Sequence, residues 1–220
     1  MQSTKIYLLQ TQSFDKTQVE NYLHKNSPKL QFDKDSRVYL EKLFSQFIRH
    51  FVFQDILKIS PLEFCYDENG KPYINGQDIC FNVSHTNGVV VLAVSSKDVG
   101  VDVEKIYPRK RMLAIAERFF SSDEYCTLEN SQNLAKDFFT LWTLKESQVK
   151  KSGLGIAKGL HLATFYKNSQ GLWNSNNNQE KFHTTYINDF VISICSNLDN
   201  LSFYEIKSNF HIQKIKQGSK

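Results

Sequence analysis

The sequence predicts an α+β fold in two halves, and three observations carry that prediction. Short runs rich in valine, isoleucine and aromatic residues are separated by Asn-Gly and similar turn signals, the pattern of strands joined by tight connections. Other segments repeat apolar residues at i, i+3 and i+4 without Gly or Pro, which marks helices with one buried face. After Tyr107-Pro108 the order of strands and helices begins again, so the chain reads as residues 1–105 followed by residues 106–220.

Lys5 to Leu9 is the first expected strand, followed by a short helix near Lys16 to His24 and a turn at Ser27-Pro28. Asp33 to Ser36 is expected to cap a long helix whose buried stripe is Leu40, Leu43, Phe44, Phe47, Ile48, Phe51 and Val52. Strands are expected at Glu63 to Tyr66, Tyr73 to Ile74, Ile79 to Val83, Val89 to Ser95 and Val99 to Glu104. The second half offers helices at Arg111 to Phe119, Asp123 to Leu128 and Leu134 to Lys151, then strands at Leu160 to Tyr166, Lys181 to Ile187 and Phe190 to Cys195. Asn174 to Gln179 reads as an exposed loop, and the tail after Phe210 is expected to fray.

Composition narrows the function classes. With 40% hydrophobic residues the chain is globular, and a net charge of +4 suits an anionic ligand or an acidic partner. The basic residues are scattered and no aromatic stacking platform accompanies them, so nucleic acid is not expected. Cys65, Cys80, Cys126 and Cys195 show no paired spacing and read as reduced residues. Neither a signal-peptide core nor a membrane-length apolar run is present, so a cytoplasmic location is the expectation. No His and Cys spacing suggests zinc, and neither a phosphate-binding Gly-rich loop nor a dinucleotide fingerprint occurs.

Two segments carry chemistry. In Val99 to Glu104 a period of two puts Asp102 and Glu104 on one strand face, where the two carboxylates repel unless a cation joins them. The strand alone reads equally as a solvated face with Lys105 as a loose partner. In Phe138 to Lys150, helical spacing aligns Trp142, Glu146 and Lys150 on one stripe, with Lys145 about a hundred degrees from Glu146. Glu146 to Lys150 alone is also an ordinary i,i+4 surface pair. Together the segments supply three carboxylates and two ammonium groups, which suits a divalent cation held against a phosphate ester.

The chain resembles the 4'-phosphopantetheinyl transferases of the larger monomeric type, which activates surfactin synthetase. The resemblance rests on Asn69-Gly70-Lys71-Pro72, Phe81-Asn82-Val83-Ser84-His85, Gly100-Val101-Asp102-Val103-Glu104 and the Trp-x-x-Lys-Glu-Ser-x-x-x-Lys core from Trp142 to Lys150, in that order. It implies two pseudo-symmetric α/β halves, each a small antiparallel sheet packed with helices, with the active site between them. The implied reaction moves the phosphopantetheine arm of coenzyme A to a serine of an apo acyl or peptidyl carrier protein and releases adenosine 3',5'-bisphosphate.

By the same resemblance Asp102, Glu104 and Glu146 hold Mg2+, while Lys145 and Lys150 lie near the coenzyme A phosphates. Arg37 is matched to the 3'-phosphate, Lys71 and Pro72 to the adenine and a phosphate, and Ser84 and His85 to the 3'-phosphate and the pyrophosphate. Glu124 is matched to a base for the acceptor serine. It reads equally as a first-turn acid behind a Ser121 or Ser122 cap, Lys71-Pro72 as a hairpin tip, and His85 as a hydrogen-bonded structural residue. Thr86-Asn87-Gly88 departs from many relatives. The acceptor contact is expected near Arg118 to Tyr125, a monomer is expected, and neither nucleic acid nor membrane is an expected partner. Fatty-acid, polyketide, peptide-synthetase and lysine-pathway acceptors all remain open. Alternatives are a Mg2+-dependent phosphohydrolase and an inactive module that binds coenzyme A or a carrier protein.

Overall fold

The structure, a computed structural model, describes residues 3–155, 159–177 and 179–215. Two compact units divide the chain, one formed by residues up to Ser96 together with those from Asn200 on, the other by Lys97–Asp199.

In the first unit β1 (Thr4–Gln10) leads through a 3-10 turn (Thr11–Ser13) to α1 (Lys16–Asn26) and α2 (Tyr39–His50), which runs on as a π-helical turn, Phe51–Ile56. A hairpin of β2 (Phe64–Tyr66) and β3 (Pro72–Ile74) precedes β4 (Cys80–Thr86) and β5 (Val89–Ser95). Asp15 caps α1 by accepting from Thr17 N at 2.8 Å, which satisfies one of the donors a helix start leaves open. β5 pairs antiparallel with both β1 and β4, and all seven of its residues are buried. Leu43, Phe47, Ile48, Phe53 and Phe81 fill the core between α2 and this sheet. Each such side chain contributes roughly 1.5–3 kcal/mol by leaving water.

The second unit repeats the order. β6 (Val99–Lys105) is followed by α3 (Met112–Phe119), α4 (Ser122–Glu129) and α5 (Leu134–Ser152), then a hairpin of β7 (Phe165–Lys167) and β8 (Trp173–Ser175), and then β9 (Lys181–Ile187) and β10 (Phe190–Ser196). β10 lies between β6 and β9 and is antiparallel to both, as β5 lies between β1 and β4. Each unit is thus a strand, helices, a small hairpin and two closing strands, with the last strand central. Ala116, Leu128, Phe138, Leu141, Leu144 and Val191 form the second core.

β11 (Leu201–Ile206) returns to the first sheet, parallel to β1, with Thr4 opposite Leu201, and β12 (Ile212–Ile215) pairs with β11. The units therefore divide differently from the expected 1–105 and 106–220, because β6 pairs with β10 and the C-terminal strands pair with β1.

Five further expectations are corrected. α2 begins at Tyr39, and Asp33 and Ser36 bond Asp35 N and Val38 N in the turns before it instead of capping it. Leu40 is 52% exposed because Tyr39, bonded to Glu20 and set against Phe32, takes the buried place in the first turn. The strand expected at Leu160 to Tyr166 is only Phe165–Lys167, since the carbonyls of Leu160 and Ala163 accept from Lys145. Part of the expected Asn-rich loop is β8, and the tail is paired through Ile215; Asn178 and residues 216–220 lie outside the described residues.

Candidate active site

The second unit holds a cluster of acids. Asp102 and Glu104 leave one face of β6, opposite Ser193 and Val191 of β10. α5 packs on these two strands, and glycine at position 100 permits the close approach: a Cβ there would meet Ser147 O at 1.9 Å and Lys151 N at 2.5 Å. A hydrogen bond of 2.8 Å between the hydroxyls of Thr143 and Ser193 crosses the same seam.

This packing brings α5 side chains to the acids. Lys150 Nζ donates to Asp102 Oδ1 at 2.6 Å. Glu146, one helical turn earlier, is buried, and that burial raises its carboxyl to about 7. The negative charges of Asp102 and Glu104 push in the same direction, while Lys150 opposes them. The four residues therefore form one electrostatic group in which adjacent carboxylates raise the cost of ionising the buried one.

Oxygen donors of this kind suit a small hard cation, which would turn mutual repulsion into attraction. Among the described residues no three His, Cys, Asp or Glu side chains already stand as a metal-binding group. The ammonium of Lys150 already stands 2.6 Å from Asp102 Oδ1. The donor chemistry fits a divalent ion, and a metal taking Asp102 Oδ1 would displace Lys150.

Lys145 and Glu124 are both drawn into the interior of the second unit. Lys145 is 1% exposed, and its ammonium donates to Leu160 O at 3.1 Å and Ala163 O at 3.0 Å while pairing with Glu124 Oε1 at 3.0 Å. Burial draws its pKa below the usual ammonium value against the pull of Glu124. Glu124 is fully buried, accepting from Phe165 N at 2.9 Å and closing a capping box with Ser121. Three donor directions of Lys145 are thus taken by protein, and Glu124 presents no surface to a substrate. Their types and helical spacing carried no sign of this, because the partners Leu160, Ala163 and Phe165 are distant in sequence.

The remaining candidates lie in the first unit. Arg37 is exposed in the turn before α2, and Lys71 and Pro72 close the β2–β3 hairpin. Asp67 shapes that hairpin by accepting from Asn69 N at 2.9 Å and Lys71 N at 2.8 Å, with Gly70 at φ 78°. Ser84 is buried on β4, and His85, exposed beside it, has Nδ1 3.7 Å from Glu41 Oε2 on α2. Sequence reasoning missed Glu41, since nothing in its local pattern distinguishes it from a surface acid. It also missed Glu180, which pairs with Lys151 at 2.6 Å and accepts from the buried thiol of Cys195, tying the end of α5 to β10.

Comparison with known proteins bears on this arrangement. Residues 98–195 match the family model of the 4'-phosphopantetheinyl transferase superfamily. The chain is 35% identical over 171 residues to 4'-phosphopantetheinyl transferase psf-1 of Bacillus pumilus, covering 71% of this chain and 72% of that protein. The chain belongs to the 4'-phosphopantetheinyl transferase superfamily. Shorter matches connect it to 4'-phosphopantetheinyl transferase gsp of Aneurinibacillus migulanus, at 44% identity over 41% of this chain and 38% of that protein. The transferase Sfp of Bacillus subtilis (strain 168) is 41% identical over 44% of each chain. The chain thus spans less than half the length of these two relatives. The superfamily segment contains Asp102, Glu104, Glu124, Lys145, Glu146 and Lys150, whereas Arg37, Lys71, Pro72, Ser84 and His85 precede it.

Proposed function

We propose that this member of the superfamily transfers the 4'-phosphopantetheine arm of coenzyme A to a serine hydroxyl of an apo acyl or peptidyl carrier protein, releasing adenosine 3',5'-bisphosphate. The observation that carries the reading is the grouping of Asp102, Glu104, Glu146 and Lys150 on two packed elements inside the superfamily segment.

In the transfer the serine oxygen forms a bond to one phosphorus of the pyrophosphate, the bond from that phosphorus to the bridging oxygen breaks, and the serine proton leaves to solvent or a base. A Mg2+ ion on Asp102, Glu104 and Glu146 would neutralise the charge that gathers on the phosphate oxygens. Lys150 adds a point charge of the same sign at the edge of this group. Arg37, Lys71, Ser84 and His85 are assigned to the nucleotide end of coenzyme A, where a guanidinium and an ammonium suit a phosphate dianion. Glu124 is not assigned the proton, because its burial and three hydrogen bonds hold it as structure.

Among the described residues no helix is long and apolar enough to cross a membrane. A soluble carrier in the cytoplasm and a monomeric enzyme are the setting this reading assumes.

The test is to incubate the protein with coenzyme A, Mg2+ and an apo carrier, following the carrier's intact mass and the nucleotide released. A mass gain of one phosphopantetheine arm, with one adenosine 3',5'-bisphosphate per carrier, supports the transferase. Nucleotide release without a carrier would replace it with a hydrolase, and coenzyme A binding without either product would replace it with a binding module.

A further inference from the structure

Arg49 lies on α2 in the first unit and is 7% exposed, yet no carboxylate pairs with it among the described residues. Its Nε donates to Ser45 O, one turn earlier, at 3.2 Å, and the guanidinium carbon stands 5.0 Å from the ring centre of Phe64 on β2. The terminal nitrogens have no hydrogen-bond partner among the described residues. Acids close in sequence are engaged elsewhere: Glu41 faces His85, Asp55 accepts from Tyr22 and Glu63 accepts from Asn75. Ser45, 8% exposed, adds a second unmet group, because its hydroxyl is enclosed without a hydrogen-bond partner.

A buried charge without a partner is costly. The face of Phe64 offsets only a part of that cost, since a ring attracts a cation less strongly than a carboxylate does. The charge is felt next door, where burial first and Arg49 second push His50 down to about 4. His50 is therefore neutral at pH 7 and adds no cation of its own. At Phe51 the helix passes into a π-helical turn, a winding that recurs at functional sites. Two side chains on neighbouring turns, each more than nine-tenths buried, thus carry hydrogen-bonding groups that the chain itself leaves unanswered.

We infer that Arg49 and Ser45 form a binding site for a compact oxyanion of the phosphate type. The guanidinium fork supplies parallel donors and the serine hydroxyl a further one from a different direction, a set that a tetrahedral oxyanion takes with separate oxygens. A planar carboxylate would use both oxygens on the fork and leave the hydroxyl unmet. Burial limits the occupant to a free ion or the terminal phosphate of a nucleotide, because a phosphodiester would have to bring its neighbouring sugars just as deep. Both residues lie in the first unit and the acids of β6 and α5 in the second, so the site stands or falls apart from the transferase reading.

The experiment titrates the full chain with inorganic phosphate in a buffer without other oxyanions, read by calorimetry and by phosphorus NMR line broadening. Lys42→Met, at an exposed position of α2, is the control for net charge. The parent and Lys42→Met are expected to bind one phosphate, Arg49→Met none, and Arg49→Lys about tenfold more weakly than the parent, because lysine keeps the charge and loses the fork. Ser45→Ala should weaken binding several-fold. Without phosphate, Arg49→Met should melt close to the parent, since it removes a buried charge that has no partner, and added phosphate should then raise the melting temperature of the parent and not of the variant. Competition identifies the source. Displacement of phosphate by coenzyme A, or by coenzyme A but not its 3'-dephospho form, assigns the site to a nucleotide phosphate, and displacement by neither assigns it to the free ion. No binding by the parent, or equal binding and equal stabilisation of the parent and Arg49→Met, would overturn the site. Should Arg49→Met fail to fold, parental affinity in both Arg49→Lys and Ser45→Ala would overturn it equally.

Discussion

Lys150 on α5 holds Oδ1 of Asp102 on β6 at 2.6 Å, and both belong to the electrostatic group around Glu146. Lys150 is the one member of the group that lowers the carboxyl of Glu146. Lys150→Met should therefore push Glu146 above about 7, readable by carboxyl NMR titration of the metal-free protein. Turnover of coenzyme A should fall on the order of 10²–10³-fold with the loss of a cation beside the phosphates. An unmoved Glu146 would mean that the two side chains are uncoupled in solution.

Glu146 itself sets a pH dependence. Its folded carboxyl sits at about 7 against an ordinary 4.5, so the folded state binds a proton more tightly than the unfolded chain does. Stability from this group is complete below about 4.5 and is lost as pH rises through about 7, a change of up to about 3 kcal/mol. Metal-free Glu146→Gln should consequently melt higher than the parent at pH 8, with the advantage gone at pH 4.5. Addition of Mg2+ should raise the melting temperature of the parent and leave that of the variant in place.

The buried pair of Lys145 and Glu124 should behave as structure. Removing either partner leaves an uncompensated charge in the core, so Lys145→Met and Glu124→Leu should each cost about 3–5 kcal/mol in denaturant unfolding. The double change should cost less than the sum of the singles, and while folded it should bind coenzyme A as the parent does. A selective loss of coenzyme A affinity in the folded double variant would return Lys145 to the ligand site.

Gly100 fixes how near α5 comes to the acidic strand. Gly100→Ala would drive a Cβ to within 1.9 Å of Ser147 O, and backbone cannot swing aside as a side chain can. Destabilisation of about 3 kcal/mol or more is expected, with Lys150 drawn away from Asp102. Near-parental stability together with parental turnover would show that the seam tolerates a shift.

Much of this arrangement was legible in the residues. The two-residue spacing of Asp102 and Glu104 and the helical spacing of Glu146 and Lys150 are properties of isolated elements, and the structure keeps both. The repeated element order also followed local turns and periodicities. What escaped was non-local: β11 joins β1 in parallel across nearly the whole chain, which no window of Leu201–Ile206 announces. Lys145 looked like a phosphate ligand for the same reason. One helical position separates it from Glu146, yet it turns into the core because Glu124 and the carbonyls of Leu160 and Ala163 are folded there to receive it. Periodicity ranks faces of a helix; it does not say which buried face conceals a partner.

The most direct test of the central claim is single-turnover transfer to an apo carrier, read as intact mass across a Mg2+ titration, for the parent and for Glu146→Ala. The account expects arm transfer that rises with Mg2+, is abolished by a chelator, and is absent or reduced at least about 10²-fold in the variant. Transfer at the parental rate in the chelated protein or in folded Glu146→Ala would contradict it, and would leave Asp102, Glu104 and Glu146 without a metal to hold.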